Sequence, residues 1–173
     1  TPGIAFSATA QDGAVCDGAA GLADIGASTA MTPQGRFRIG SITKTFVAVV
    51  ILELGEERVL SLSDPIARWL PTFPRGTVTI EQLLDHTSGL ADYLYAPSIQ
   101  GAQARPHSSA ELLAFAAEVQ STATAPGTWR YSNTNYLLLG KIIEVATGIS
   151  WSVQVRRRIL DRPELGLTST FVF

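Results

Sequence analysis

The chain has 173 residues, 46% of them hydrophobic and 16% charged, and 13 basic against 15 acidic side chains give a formal net charge of −2. That length suits one domain, or one domain and part of another, and that composition argues for an ordered core rather than disorder. The charge balance excludes the basic footprint of a nucleic-acid or anionic-membrane binder, and no apolar run approaches the roughly 18 residues of a membrane span.

The sequence opens on Thr1-Pro2-Gly3, as expected of a mature or trimmed chain. Residues 4–10 read as a short strand and 14–22 as its partner, because Gln11-Asp12-Gly13 between them is a hairpin signal. Residues 23–28 form a second turn, and Arg36-Phe37-Arg38-Ile39 a third brief extended piece. Cys16 is the sole cysteine, so no internal disulfide is possible, and it is expected to pack as a small apolar side chain within its strand.

Gly40-Ser41-Ile42-Thr43-Lys44 then opens the most apolar helix, whose residues 46–52 are apolar without a break. A helix hydrophobic on nearly every side belongs inside a protein, which sets Ser41 at the mouth of whatever lies above it. Ser41 and Lys44 are three apart and share a helix face, beside the free N–H groups and positive dipole end of a helix start. That places a nucleophile next to an amine. The plainer alternative is an N-cap serine and a solvated lysine. With 14 Ser and 2 Lys in the chain, chance alone produces a Ser-x-x-Lys about 0.16 of the time, so the pair needs a second motif.

The middle of the chain reads as helical. Ser63-Asp64-Pro65 starts a short helix through Leu70, stopped by Pro71 and Pro74. Thr79-Ile80-Glu81-Gln82 is a capping box for the next helix, which ends in the polar turn Asp85-His86-Thr87-Ser88-Gly89-Leu90. Residues 91–107 form the longest irregular stretch, a candidate lid or rim. Ser108 and Glu111 cap a helix carrying Leu112, Phe115, Ala116 and Val119 at helical spacing. Pro126-Gly127 breaks the chain, residues 135–146 form an apolar helix closed by Gly148, and Ser150 caps a last helix over 151–160.

Tyr131-Ser132-Asn133 is the second motif. It lies between the Pro-Gly turn and a buried helix, where a loop held by rigid elements presents chemical groups. A phenol can carry a proton and an amide can hold a carbonyl. The plainer alternatives are a half-buried aromatic and a helix cap. His86 and His107 lack companions at metal-ligand spacing, and His86 is expected to bond backbone within its own turn. Arg156-Arg157-Arg158 reads as a solvated helix face. Tyr93 and Trp129 lie near the irregular stretch and the second motif, where each could line a substrate cleft or pack on the core.

The segments Phe37-Arg38-Ile39-Gly40-Ser41-Ile42-Thr43-Lys44-Thr45-Phe46, Leu83-Leu84-Asp85-His86-Thr87-Ser88-Gly89-Leu90 and Tyr131-Ser132-Asn133-Thr134-Asn135-Tyr136 together resemble the penicillin-recognising serine hydrolases. The likeness is to the class C β-lactamases, the D-alanyl-D-alanine carboxypeptidases similar to them and the related esterases, nearest to the carboxypeptidase branch. It implies an α/β, β-lactamase/transpeptidase-like fold: one partial domain over 1–173, with strands over 1–40, a mainly helical lobe over 41–160 and the start of a return segment over 161–173.

The resemblance also implies roles. Ser41 is the acylated nucleophile and its backbone N–H an oxyanion donor, while Lys44 keeps a proton-accepting network around the hydroxyl. Tyr131 shuttles the proton to the leaving group. Asn133 binds the substrate amide and positions Lys44, with Tyr93 and Trp129 as further substrate contacts. The substrates implied are D-Ala-D-Ala peptides, β-lactams or small esters, with no metal and no cofactor, outside the cell or in the periplasm. The family's third motif, a basic or His residue followed by Gly on a C-terminal strand, is not found in this sequence, so the resemblance implies that the C-terminal strands are missing from it. The C-terminal half of the same protein is therefore an expected partner. The chain alone is expected to be feeble or inactive, because losing one oxyanion donor costs about 10²–10³ in turnover, and its strands near 4–22 to expose unpaired edges. The other function class is a non-catalytic binding relative of the same fold, which has no need of all four of Ser41, Lys44, Tyr131 and Asn133.

Overall fold

Two helices with apolar faces, α1 (Thr43–Glu56) and α6 (Asn133–Thr147), build the main core by packing together. The structure is a computed structural model and describes residues 2–101, 105–170 and 172. It divides into two compact units, Thr1–Gly40 and Ser41–Phe173.

The first unit is an antiparallel sheet in the order β1 (Gly3–Thr9), β2 (Val15–Asp24), β3 (Thr29–Ala30). The hairpin forms where Asp-Gly predicts it. Asp12 Oδ1 accepts the Ala14 N–H at 3.0 Å, and Gly13 takes the positive φ of 85° that the turn requires. The register runs from Gly3 opposite Gly21 to Thr9 opposite Val15. Gly21, at φ 82°, lies so close to Pro2 that a Cβ there would strike the Pro2 carbonyl. Ile4, Phe6 and Val15 are exposed, and so is Cys16, which lies in β2 but does not pack as an apolar side chain. Residues 36–39 are not a strand; the third strand is Thr29–Ala30, brought back onto β2 by a turn in which Asp24 Oδ1 accepts the Ala27 N–H at 2.9 Å.

In the second unit α1 is buried along one stripe only. Val47, Val50, Ile51 and Leu54 recur at helical spacing and lie in the core with Leu138, Leu139, Ile142 and Ile143 of α6. Fully burying each such side chain contributes about 1.5–3 kcal/mol. Val49 and Leu52, in the same apolar run, are 37% and 48% exposed, so composition alone overstated the burial of this helix. Ile66 of α2 (Ile66–Trp69) and Ile80 and Leu83 of α3 (Ile80–Leu84) complete the floor. The Thr79–Gln82 capping box forms as the sequence predicts.

The stretch 91–107 is more ordered than its Pro and Gly content suggests. It contains a 3-10 turn at Tyr93–Tyr95 and α4 (Pro97–Gln100), and Ala91, Ala96 and Ile99 form a small second core with Val119. Residues 102–104 of that stretch lie outside the described residues. α5 (Ser109–Glu118) starts at the predicted Ser108–Glu111 capping box. α6 begins two residues earlier than its apolar pattern and ends at Gly148, whose φ of 69° is the left-handed stop the sequence predicts. The predicted last helix divides into α7 (Trp151–Val155) and a π-helical turn at Arg156–Leu160, and Ser150 makes no side-chain cap. Arg158 is not part of a solvated face: its guanidinium reaches Glu57 at 2.6 Å and Glu53 at 3.2 Å and clamps this turn to α1. Among the described residues no single helix is long and apolar enough to cross a membrane.

Candidate active site

Ser41 lies in a 3-10 turn, Gly40–Ile42, that delivers the chain into α1, and Gly40 takes the φ of 52° that the entry needs. No side chain caps α1, so the Ser41 hydroxyl is not used as an N-cap. Instead its Oγ lies 2.7 Å from Tyr131 Oη and accepts a hydrogen bond from Lys44 Nζ at 3.1 Å. Lys44 Nζ also donates to Asn133 Oδ1 at 2.8 Å and stands 4.9 Å from the centre of the Tyr131 ring. The four residues named from the two motifs therefore meet, across 89 and 90 positions of sequence.

The electrostatics favour ionisation at the phenol. Desolvation by itself raises the Tyr131 pKa, but the hydrogen bonds with Lys44 and Ser41 and the ammonium charge outweigh it, leaving the phenol below its ordinary value. Asn133 is the first residue of α6, and its side chain is held rather than capping. Asp92 Oδ2 accepts from Asn133 Nδ2 at 2.7 Å and from the Asn133 backbone N–H at 3.1 Å. Because a carboxylate only accepts, the amide must turn its nitrogen to Asp92 and its oxygen to Lys44. Asp92 is buried, and its other oxygen accepts the Leu94 N–H at 3.1 Å. The sequence reading missed Asp92. Its signal was that of an ordinary cap before Tyr93–Tyr95, and the bond to Asn133 spans 41 residues.

His86 also reaches further than its own turn. At φ 62° it presents Nδ1 to the Ser132 N–H at 3.2 Å and to Asn135 Nδ2 at 2.9 Å. Trp129 is exposed, with its ring edge-on to His86 at 6.4 Å. Tyr93 is half-buried and packs on both hydrophobic cores, and its backbone N–H bonds Thr134 Oγ1 at 3.0 Å. Neither makes a hydrogen bond to the Ser41–Lys44–Tyr131–Asn133 set among the described residues. Nor do these contain a group of three or more His, Cys, Asp or Glu side chains placed to hold a metal ion.

Between Tyr131 and Asn133, Ser132 is fully buried and its hydroxyl finds no hydrogen-bond partner among the described residues. A buried hydroxyl left unpaired costs about 1–3 kcal/mol. Ser132→Ala should therefore raise stability, by about 1 kcal/mol on the same scale, with the acylation rate unchanged. Thermal melting beside probe labelling checks both halves of that expectation.

The arrangement belongs to the β-lactamase/transpeptidase-like fold. The chain is a member of the beta-lactamase family, whose model matches residues 1–173. It is 36% identical over 143 residues to penicillin-binding protein 4* of Bacillus subtilis, a match covering 80% of this chain and 31% of that one. A D-stereospecific amidohydrolase from Streptomyces superposes with a TM-score of 0.78 at 33% identity, covering 94% of this chain and 49% of that one. D-amino acid amidase from Ochrobactrum anthropi, solved with L-phenylalanine, superposes with a TM-score of 0.81 at 29% identity, covering 99% and 49%. The chain thus spans about a third to a half of the length of these relatives.

Proposed function

We propose that the protein is a serine acyl-transfer hydrolase that forms an acyl-enzyme on Ser41 and acts on the amide bonds of D-amino acid residues, D-Ala-D-Ala peptides among them. The observation that carries this reading is the 2.7 Å contact between Ser41 Oγ and Tyr131 Oη, with Lys44 donating to the same Oγ. Lys44 occupies one Oγ lone pair, and once the phenol is ionised it can only accept, so Ser41 is then the donor across the 2.7 Å contact. With its pKa lowered, Tyr131 is suited to act as phenolate. The phenolate takes the Ser41 proton as Oγ attacks the carbonyl carbon. Tyr131 then passes that proton to the leaving amine as the C–N bond breaks, leaving an ester on Ser41 that water hydrolyses. Asn133 supports the same reading, because one Nδ2 hydrogen goes to Asp92 and the second can meet a substrate carbonyl. The class of substrate follows the amidohydrolase and amidase among the structural relatives, and β-lactams enter as amides able to acylate the same serine.

The relatives are two to three times as long as the match, and we assign full activity to a form extended at the C-terminus, with the remaining half as partner. The test is labelling with a fluorescent penicillin and a phosphonate probe, in this chain and in the extended form. A probe-sized mass gain on Ser41, absent in Ser41→Ala and faster in the extended form, is the expected result. Equal labelling of Ser41→Ala sinks the acyl-enzyme, and equal rates in the two lengths make the C-terminal half dispensable. Comparing hydrolysis of D- and L-amino acid amides then tests the stereochemical part.

A further inference from the structure

Half-buried His86 joins a polar chain, buried at Ser88 and Asn135, to the second motif. The Leu90 N–H donates to Ser88 Oγ at 3.1 Å, and Ser88 Oγ donates to Asn135 Oδ1 at 2.6 Å. That fixes the Asn135 amide with its nitrogen toward His86, 2.9 Å from Nδ1. The Ser132 backbone N–H meets the same Nδ1 at 3.2 Å. A backbone N–H can only donate, so Nδ1 must be the bare acceptor and the ring hydrogen must lie on Nε2. The His86 ring also stacks on Tyr131, with centroids 4.6 Å apart and an interplanar angle of 29°. Its carbonyl takes the Arg130 N–H at 2.8 Å, so both backbone and ring of one residue grip the segment that carries the phenol.

We propose that His86 is a positioning residue: as the neutral Nε2–H tautomer it pins the backbone of Ser132 and backs the ring of Tyr131, and so sets the distance from the phenol to Ser41. The acylation part of this rests on the function proposed above. The left-handed backbone at His86 belongs to the same device, since it turns the ring away from its own helix toward residues 129–136. Outside glycine, Asn, Asp and His are the residues most often found in that conformation.

Protonation undoes the arrangement. An imidazolium carries hydrogen on Nδ1 and cannot accept from Ser132 or Asn135. Burial first, and then the charge of the Lys44 ammonium on α1, lower the His86 pKa against the opposing carboxylates of Asp85 and Asp92. Among the described residues, the rings of Tyr131 and Tyr136 also pack against the imidazole.

The test has two independent readouts. In protein labelled with 15N-histidine, which has only two such residues, His86 should have Nε2 protonated and Nδ1 bare at neutral pH. A hydrogen on Nδ1, in either the neutral or the cationic form, overturns the proposal whatever the catalytic result. The second readout is the limiting acylation rate with a fluorescent penicillin. His86→Ala should lower it by about 10²-fold, the usual effect of displacing a reacting group by about 1 Å, with little change in probe affinity before acylation. His86→Asn keeps an acceptor oxygen where Nδ1 stood and tolerates the left-handed backbone, so it should recover most of that loss. Log rate against pH should fall with a slope of about one where Tyr131 alone is protonated and steepen toward two below the lowered His86 pKa in the wild type, while His86→Asn keeps a slope of about one throughout. Equal damage in the two variants, loss confined to probe affinity, or the same slope in wild type and His86→Asn each overturns the positioning role. A wild type that the probe never acylates counts against the proposed function instead, and the tautomer measurement alone then decides on His86.

Discussion

Tyr131→Phe should lower the acylation rate of Ser41 by about 10²–10⁴-fold, the range supplied by a positioned acid–base group, while the protein melts close to the wild-type temperature. The variant removes one oxygen, 2.7 Å from Ser41 Oγ, and leaves the ring stacked on His86. Tyr131 is 40% exposed, so losing its hydroxyl leaves no buried group unpaired, and the stability change should stay within about 0.5–1.5 kcal/mol. The pH dependence carries the sign. Desolvation raises the phenol pKa, but hydrogen bonding with Lys44 and Ser41 and the Lys44 charge bring it below the ordinary value. The ionised form is the one that accepts the serine proton, so the wild-type rate should rise with pH through that lowered pKa. Lys44→Ala removes the largest stabiliser of the phenolate and should move this limb to higher pH. Rates measured across pH with a fluorescent penicillin check it; a limb that stays in place in Lys44→Ala would show that Tyr131 is not the titrating base.

Asp92→Ala should damage both stability and acylation, which separates it from Tyr131→Phe. The buried carboxylate accepts two hydrogen bonds from Asn133 and one from the Leu94 N–H. Hydrogen bonds to a charged group are worth about 1.5–3 kcal/mol each, but the donors left behind, on half-buried Asn133 and exposed Leu94, can turn to water, so a loss of about 1.5–3 kcal/mol is expected. Acylation suffers because the Asn133 amide is then free to flip. A flipped amide turns its nitrogen to Lys44, losing the 2.8 Å acceptor that holds the amine beside Ser41. A fall of about 10²-fold in the limiting acylation rate is expected, as for other misplaced groups. Denaturant melts paired with labelling rates check both effects. Normal acylation in a destabilised Asp92→Ala would mean that the Asn133 orientation does not matter to the reaction.

Much of the local structure was readable because its causes lie within a few residues. Asp12-Gly13 makes its hairpin through an aspartate bond two residues along and a positive φ. The Thr79 and Ser108 capping boxes close within a single helical turn, and Gly148 stops α6 in the left-handed conformation. Ser41 and Lys44 are neighbours by the same rule, since a separation of three on a helical turn brings two side chains together wherever the helix lies. The less legible parts depended on distant partners. α1 reads as buried all round, yet the packing of α6 covers only its stripe of Val47, Val50, Ile51 and Leu54. Residues 91–107 read as irregular because the apolar contacts that order Ala96 and Ile99 come from Val119, some twenty residues on.

The chain's order of residues settled which chemical groups are present: a serine with a lysine one turn on, and a phenol beside an amide 90 positions later. Only the folded chain decided that these groups touch, that Asp92 sets the direction of the amide, and that His86 reaches Ser132 instead of its own turn. The reason is the range of the forces involved. A helix turn or cap closes over three or four residues and is written locally, whereas a 2.7 Å contact between Ser41 and Tyr131 exists only once α1 and α6 have packed.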